Sequence, residues 1–282
     1  GALQTSVNDA TPAGGMSRGS YATDWQRFRT AGPQVASGQY ATLSGGRQNV
    51  SGGQDSVVSG GQANQAGSNS CAVGGGFQNF ADDEANVIAG GHQNQTFQPY
   101  SAVVGGRENR AKGEGAVAMG IRSSTSLSGQ VVHASGSFTG TGDGSAQHGR
   151  MVLRTTTNNN IIEMDTNAGF AALSANDYFT LGNNTGHTFT LHVIARSTAV
   201  GETAWWSVEG CIIRDANAAS TILIAPAPAS TPTGDSGGSA ANFRLNVSAN
   251  NVDGRLTLEA ESTGYVGDVR WVATLQTTQV AV

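Results

Sequence analysis

The side chains that most often carry chemistry are few and far apart in this 282-residue sequence. None of the five histidines and two cysteines has the close His-x-x-x-His or Cys-x-x-Cys spacing that is typical of a metal site. No Gly-x-Ser-x-Gly motif precedes a predicted helix, which a nucleophile elbow would require. We therefore expect no catalytic residue, no metal and no cofactor, and we predict that the protein is not an enzyme.

The acidic side chains keep one enzymatic alternative open. Glycosidases use two carboxyl groups that can come from any part of a sequence. Glu202, Glu209, Asp215 and Glu259 therefore leave a polysaccharide-depolymerising enzyme as an alternative. The acidic cluster at 82–84 is expected at an exposed corner, where its charges stay solvated.

Composition excludes two classes of partner. The formal net charge is −5 and Lys112 is the one lysine, so the chain lacks the basic stripe that nucleic-acid binding needs. No apolar run is long enough to span a bilayer, so we expect no membrane insertion.

The first half of the chain contains a repeat of 15 residues. Gly-Gly pairs recur at Gly45-Gly46, Gly60-Gly61, Gly75-Gly76, Gly90-Gly91 and Gly105-Gly106. Three residues after each pair stands an asparagine: Asn49, Asn64, Asn79, Asn94 and Asn109. Two residues before each pair stands an aliphatic residue: Leu43, Val58, Val73, Ile88 and Val103. Such a short period with β-branched residues before a glycine break predicts two short strands and two turns, which is one coil of a β-solenoid.

The repeated residues also predict how the coil turns and assembles. We expect glycines such as Gly60 and Gly91 to adopt positive φ at tight corners, and the asparagines to bond backbone groups or stack in a ladder. One thin stack of coils buries few aliphatic side chains against the entropy of ordering its backbone. We therefore predict a homotrimer, in which neighbouring chains cover a further face of every coil. The alternative is a single-chain narrow solenoid of the ice-binding kind, which would need a threonine array or a staple in every coil.

The repeats resemble a known family. The blocks 56–64 (SVVSGGQAN) and 101–109 (SAVVGGREN) are similar to head repeats of trimeric autotransporter adhesins, which also occur in phage tail fibres and tailspikes. The stretch 20–27 that leads into 34–38 is similar to the phage versions. The resemblance covers about 20–125 and implies a trimeric, left-handed parallel β-roll.

The second half has a different pattern. Apolar and polar residues alternate with period two, as at 189–194, 243–248 and 269–276, and Asp253-Gly254 predicts a hairpin turn. About nine strands in 130 residues predict a β-sandwich, jelly-roll-like. The predicted fold is therefore all-β, a trimeric parallel β-roll followed by an antiparallel sandwich. We divide the chain into a cap or attachment segment (1–34), the roll (35–122), a Ser/Thr/Gly-rich connector (123–149) and the sandwich tip (150–282).

Two aromatic residues of the sandwich are candidate receptor contacts. Trp205 lies on the strand face opposite to the core residue Trp206, so it points to solvent or to a neighbouring chain. Tyr265 lies between glycines on a predicted loop, and loops at the ends of a sandwich often carry function. Trp25 and Phe28 precede the repeats, and we expect them to cap the open end of the roll.

The resemblance implies a function. It points to a bacteriophage tail fibre or tailspike, located in the virion tail and outside the cell, that recognises a host cell-surface polysaccharide or protein. Its partners would be two further copies of itself, that host receptor and other virion tail proteins. The alternative within the same resemblance is a fragment of a bacterial trimeric surface adhesin.

Overall fold

The structure is a computed structural model. It describes residues 14–138, 144–166, 177–199, 201–224 and 231–281, together with the backbone of a short strand at Leu3–Gln4. The chain divides into two compact units: one of residues through Ser126 plus Val132–Gly144, and one of Leu127–Val131 plus Ser145–Val282.

The first unit is a parallel β-solenoid of about eight coils with a repeat of about 15 residues. Its strands are β1 Leu3–Gln4, β2 Thr23–Asp24, β3 Thr42–Leu43, β4 Val50–Ser51, β5 Val57–Val58, β6 Gln65–Ala66, β7 Ala72–Val73, β8 Phe80–Ala81, β9 Val87–Ile88, β10 Gln95–Thr96, β11 Ala102–Arg107, β12 Arg110–Ala111, β13 Val117–Ile121, β14 Ser124–Thr125 and β15 Val131–Gly136.

Two parallel sheets run along the solenoid. The first, here called the aliphatic sheet, has the order β1-β2-β3-β5-β7-β9-β11-β13-β15, and the second has the order β4-β6-β8-β10-β12-β14. Each strand pairs with the strand one repeat away, as Val57 does with Ala72. The strands are two residues long in most coils because a glycine corner or a left-handed residue follows soon after.

The interior of the solenoid is narrow and almost free of solvent. From β2 onward, the second residue of each strand in the aliphatic sheet points inward and is buried, as Leu43, Val58, Val73 and Ile88 show. Small residues such as Ala66 and Ala81 face them from the second sheet. The repeat therefore encodes a core that is one large and one small side chain wide in each coil.

The second glycine of each corner pair is sterically required, whereas the first glycine of the Gly60-Gly61 pair is not. Gly91 has a φ of 106°, and a Cβ on it would lie 2.1 Å from the carbonyl oxygen of Gly106 in the next coil. Gly60 has no positive φ, and a Cβ on it would meet nothing within 4 Å. The expectation of positive φ is thus confirmed for Gly91 and wrong for Gly60.

The solenoid extends beyond the predicted range 35–122. The stretch 123–149, predicted as a connector, contributes β14, β15 and the start of the next strand. Thr125 continues the buried small-residue column. Residues 139–143 of the predicted connector lie outside the described residues. The coil that begins at Val117 is one residue shorter, with the single Gly120 where earlier coils have a glycine pair.

A buried polar network closes the start of the solenoid. The guanidinium of Arg29 donates 2.7 Å hydrogen bonds to both carboxylate oxygens of Asp24, and Arg18 donates a further one of 2.9 Å. Asp24 is fully buried, so these partners replace the water it loses. Trp25 and Phe28, the residues expected to cap the roll, are 50% and 55% exposed and lie outside this buried network.

The second unit consists of two antiparallel sheets around one hydrophobic core. Its strands are β16 Ala146–Thr157, β17 Ile161–Glu163, β18 Thr185–Ser197, β19 Thr203–Arg214, β20 Ile222–Leu223, β21 Gly234–Asp235, β22 Arg244–Asn250, β23 Arg255–Glu261 and β24 Val269–Ala281. Two 3-10 helices lie at Ala218–Ser220 and Gly238–Asn242.

The large sheet has the order β16-β24-β18-β19-β20, with β21 paired to β19, and the small sheet has the order β17-β23-β22. Alternate residues of both sheets point into the shared core, where Trp206 stacks on Trp271 with ring centroids 5.2 Å apart. The predicted all-β fold, a parallel solenoid followed by an antiparallel region, is confirmed.

Candidate functional site

The repeated asparagines form a buried ladder rather than a surface. The Nδ2 of Asn64 donates 2.9 Å hydrogen bonds to the carbonyl oxygens of Gly60 in its own coil and Gly76 in the next. Its Oδ1 accepts a 3.0 Å hydrogen bond from the backbone N–H of Asn79. Each asparagine thus satisfies polar backbone groups of two coils, and five of them are fully buried: Asn49, Asn64, Asn79, Asn94 and Asn109.

Two other residue types close the ends of this ladder. At its start, the side chain of Gln26 accepts a hydrogen bond from the backbone N–H of Asn49 and donates one of 3.1 Å to its carbonyl oxygen. At its end, the hydroxyl of Ser123 donates a 2.7 Å hydrogen bond to Oδ1 of Asn109. The repeat positions therefore have a structural role, and they are not available to a ligand.

The residue after each glycine pair forms a surface column. Arg47, Gln62, Phe77, His92 and Arg107 are joined by parallel bridges, one per coil. Arg47 donates a 2.6 Å hydrogen bond to Gln62, and the rings of Phe77 and His92 stack with centroids 5.2 Å apart. The hydrogen bond and the ring stacking within the column stabilise the corner.

The outer face of the large sheet is the strongest candidate site in the described part of the chain. Trp205 lies on this face and is 47% exposed, as the alternation on its strand predicts. The strand β21 runs beside it, and a Cβ on Gly234 would lie 2.6 Å from the indole Nε1. The indole is therefore seated against a backbone that has no side chain at that position.

Two grooves mark this face. One, of about 710 Å³, is lined by Ile194, Arg196, Arg270, Val272 and the loop after β18. The other, of about 610 Å³, has a polar lining that includes His148, Thr190, Glu209, Gln276 and Thr278. Val272, Ile194 and Trp205 form one apolar row across three strands, and polar side chains lie on both sides of it. Such a surface can contact both the faces and the hydroxyls of a sugar.

Tyr265 does not lie on the surface. It is 6% exposed, its ring packs edge-on against Phe243, and its hydroxyl shares a hydrogen bond with Ser197. The expected role as a receptor contact is therefore not supported. The flanking glycines predicted a loop, but they carried no information about which way the tyrosine ring would turn.

The four carboxylates singled out in the sequence do not come together. Glu202 and Asp215 flank opposite ends of β19, a separation of roughly 40 Å for 12 extended residues. Glu209 lies on the outer face of the large sheet, at least five residues from either end of β19. Glu259 lies on the small sheet, where it accepts a 2.7 Å hydrogen bond from Asn246. No two of them reach the separation of about 5–10 Å that glycoside hydrolysis requires.

The structure does bring a different acid next to Glu259. Glu163 lies opposite it on the neighbouring strand, and Arg255 donates a 2.9 Å hydrogen bond to Glu163. The guanidinium of Arg255 also lies 4.1 Å from the centre of the Tyr178 ring. Burial, with the charge of Glu259 adding to it, raises the pKa of Glu163. This pairing depends on strand register, which no local motif reveals.

Burial also shifts the pKa of a histidine in the second unit and of a cysteine in the solenoid. Loss of water lowers the pKa of His187 to about 4, and its ring packs edge-on against Phe179. Burial likewise raises the pKa of the Cys71 thiol inside the solenoid. Within the described ranges, no three metal-ligating side chains cluster. The helices found there are single short turns, and none has the length or apolar character of a membrane span.

Comparison with known proteins adds no family to these observations. No protein-family model matches the sequence, and no curated protein matches it.

Proposed function

We propose that this protein is a receptor-binding fibre protein whose second unit recognises a glycan on a cell surface. The observation that carries the proposal is the outer face of the large sheet, where the half-exposed Trp205 lies opposite Ile194 of one groove and a second groove lies further along the same face. An exposed indole ring packs on the apolar face of a pyranose, and neighbouring polar side chains bond its hydroxyls. The solenoid also exposes aromatic rings, such as Trp25, Tyr40 and Tyr100, and Trp205 is preferred to them because the large sheet also carries the two grooves.

The resemblance of the repeats to those of phage fibres and adhesin heads supports a proposal for where this protein acts. We propose a bacteriophage tail fibre or tailspike, located in the virion tail and attached to other tail proteins. A bacterial trimeric adhesin is the alternative with the same repeats. Immunogold labelling of purified virions with an antibody against the chain separates the two, because an adhesin labels the bacterial surface instead.

A homotrimer is part of the proposal. The outward residues of the aliphatic sheet form an apolar column along the solenoid: Val57, Ala72, Val87, Ala102 and Val117. Val87 is 45% exposed in a single chain. Three chains that share this column would bury it, and each binding face would then occur three times, which strengthens weak contacts through avidity.

Binding of the full chain to an array of bacterial surface polysaccharides tests the proposal. We expect Trp205→Ala to lower binding by at least about tenfold while the thermal unfolding midpoint stays the same. The matched control is Ile161→Ala, which removes a side chain that is 56% exposed on the small sheet. If Trp205→Ala binds as well as the original chain, this face is not the recognition site.

Polysaccharide cleavage is a second candidate, favoured by the Glu163–Glu259 pair. Two neighbouring carboxyl groups, one with a raised pKa, can serve as acid and nucleophile in glycoside hydrolysis. Incubation with a bound polysaccharide distinguishes the two functions. Released oligosaccharides that disappear in Glu163→Gln indicate an enzyme, whereas retention without cleavage indicates a binding protein.

A further inference from the structure

Two arginines stand directly opposite each other on the outer face of the large sheet. Arg196 on β18 is the cross-strand neighbour of Arg270 on β24, and both side chains are exposed. Like charges in this position destabilise a sheet. Neither guanidinium has a carboxylate partner among the described residues, and the nearby Asp268 accepts a 2.9 Å hydrogen bond from Asn158 instead. Repulsion between the two guanidinium groups therefore destabilises the sheet, and a bound anionic ligand would relieve it.

The residues next to the pair form a ligand-sized surface. One step along the same strands, Val272 lies opposite Ile194, and Ile194 lies opposite Trp205. The two arginines and the two aliphatic residues line the groove of about 710 Å³. Trp205 is a diagonal neighbour of Arg196, about 7–8 Å away between backbones. An indole ring and two guanidinium groups thus lie within the span of one or two sugar rings.

The charge of this face is opposite to that of the whole chain. The protein has a formal net charge of −5, yet the outer face of β16, β24, β18 and β19 carries Arg150, Arg154, Arg196 and Arg270 against the single carboxylate of Glu209. A cationic patch attracts an anionic partner through charge complementarity.

We propose that the Arg196–Arg270 row is the subsite for the carboxylate of an acidic polysaccharide, whose sugar ring packs on Trp205. Guanidinium groups bind carboxylates through paired, charge-assisted hydrogen bonds, which fix the orientation of the sugar as well as its charge. This inference rests on the proposed function and narrows it: the receptor is a glycan that contains uronic or similar carboxylated sugars.

The test uses the full chain and a panel of bacterial polysaccharides with and without carboxylated sugars. Each acidic polymer is also offered after carbodiimide–borohydride treatment, which converts its carboxylates to alcohols. We expect binding to acidic members, a loss of at least about tenfold after reduction, and a similar loss in Arg196→Gln and in Arg270→Gln. The matched control is Arg244→Gln, which removes the same charge from the exposed face of the small sheet.

Each outcome decides a different point. The subsite is overturned if the chain binds a polysaccharide equally well before and after reduction of its carboxylates. It is also overturned if both arginine variants bind the acidic polysaccharides as well as the original chain does. The subsite is also overturned if the chain binds dextran sulfate as strongly as the acidic polysaccharides and Trp205→Ala does not weaken that binding. The face would then be a general polyanion surface. If the arginine variants still adsorb to host cells like the original chain, the subsite fails and cell recognition stands. If the chain binds no polysaccharide and no cells, the proposed function itself fails. Unchanged unfolding midpoints and sedimentation show that each variant is folded.

Discussion

The Nδ2 of Asn79 donates a 2.9 Å hydrogen bond to the carbonyl oxygen of Gly91, which belongs to the next coil of the solenoid. The same nitrogen donates a 2.8 Å hydrogen bond to Gly75 within its own coil. One buried amide therefore joins a corner to the corner above it. The sequence repeats this relationship in five coils, so the stability of the solenoid depends on the amide group and not on the size of the side chain.

We predict that Asn79→Asp destabilises the solenoid by about 2–4 kcal/mol. The carboxylate has the shape of the amide but no N–H donor, so it would face the carbonyl oxygens of Gly75 and Gly91 in a fully buried site. Urea unfolding followed by circular dichroism measures the loss. Gln78→Asn is the control, because that neighbour has a φ of 54° that asparagine tolerates and a side chain that is not buried. An equal effect of both changes would contradict the ladder.

The two glycines of one corner should respond differently to substitution. Gly61→Ala places a Cβ 2.2 Å from the carbonyl oxygen of Gly76, at a φ of 81°, so we expect a loss of at least about 2 kcal/mol. Gly60→Ala places a Cβ in open space and should change stability by less than about 0.5 kcal/mol. Thermal unfolding of the two variants side by side gives the difference, and a destabilised Gly60→Ala would show that the corner is tighter than described.

These two cases show what a repeat can and cannot predict. The spacing of Gly60-Gly61 and Asn64 predicted the coil, its length and a role for asparagine at a turn, because those depend on local backbone preferences. It could not tell which glycine of the pair is indispensable, since that depends on where the next coil's carbonyl lies. The buried Asp24–Arg29 pair could not be predicted for the same reason, because it depends on how the chain folds back on itself. The sequence instead predicted aromatic rings at the end of the roll.

We predict that Val87→Asp prevents trimer formation. Val87 points outward from the aliphatic sheet, so a charge there leaves the single-chain core intact but would be buried without a partner between chains. Sedimentation velocity should show three times the chain mass for the original protein and a smaller species for the variant. Gln95→Asp, at the equivalent position of the second sheet, should remain trimeric. A trimeric Val87→Asp would place the contact elsewhere.

Stability should fall in acid because of His187. Its pKa is about 4 in the folded protein and near 6.5 in the unfolded chain, so between these values only the unfolded chain takes up the proton. The contribution is therefore complete above pH 6.5 and is lost as the pH falls towards 4, by up to about 3 kcal/mol.

The measurement is the unfolding midpoint in urea across this pH range for His187→Gln and for His192→Gln. His192 lies on the same strand with its side chain exposed, so its variant should keep the pH dependence of the original protein. His187→Gln should flatten it. The same slope in both variants would assign the acid sensitivity to carboxyl groups.

The candidate site could be predicted in part. Alternation along β19 placed Trp205 outside and Trp206 in the core, because period two leaves one choice once the core face is known. The opposition of Arg196 and Arg270 could not be predicted, since the two residues are 74 positions apart and meet only through the register of β18 with β24. Tyr265 failed for a related reason: a loop sequence does not fix the direction of its side chain.

The end groups of the asparagine ladder determine how the number of coils can change in evolution. Gln26 and Ser123 terminate the hydrogen bonds, and every coil between them makes the same contacts with the coil before it and the coil after it. Duplication or loss of a 15-residue segment between Asn49 and Asn109 would therefore keep the hydrogen bonds of the ladder without a compensating substitution. Each such event would lengthen or shorten the rod by about 4.8 Å. The length of the solenoid can thus vary between related sequences in small, equal steps while the outer face of the large sheet stays unaltered.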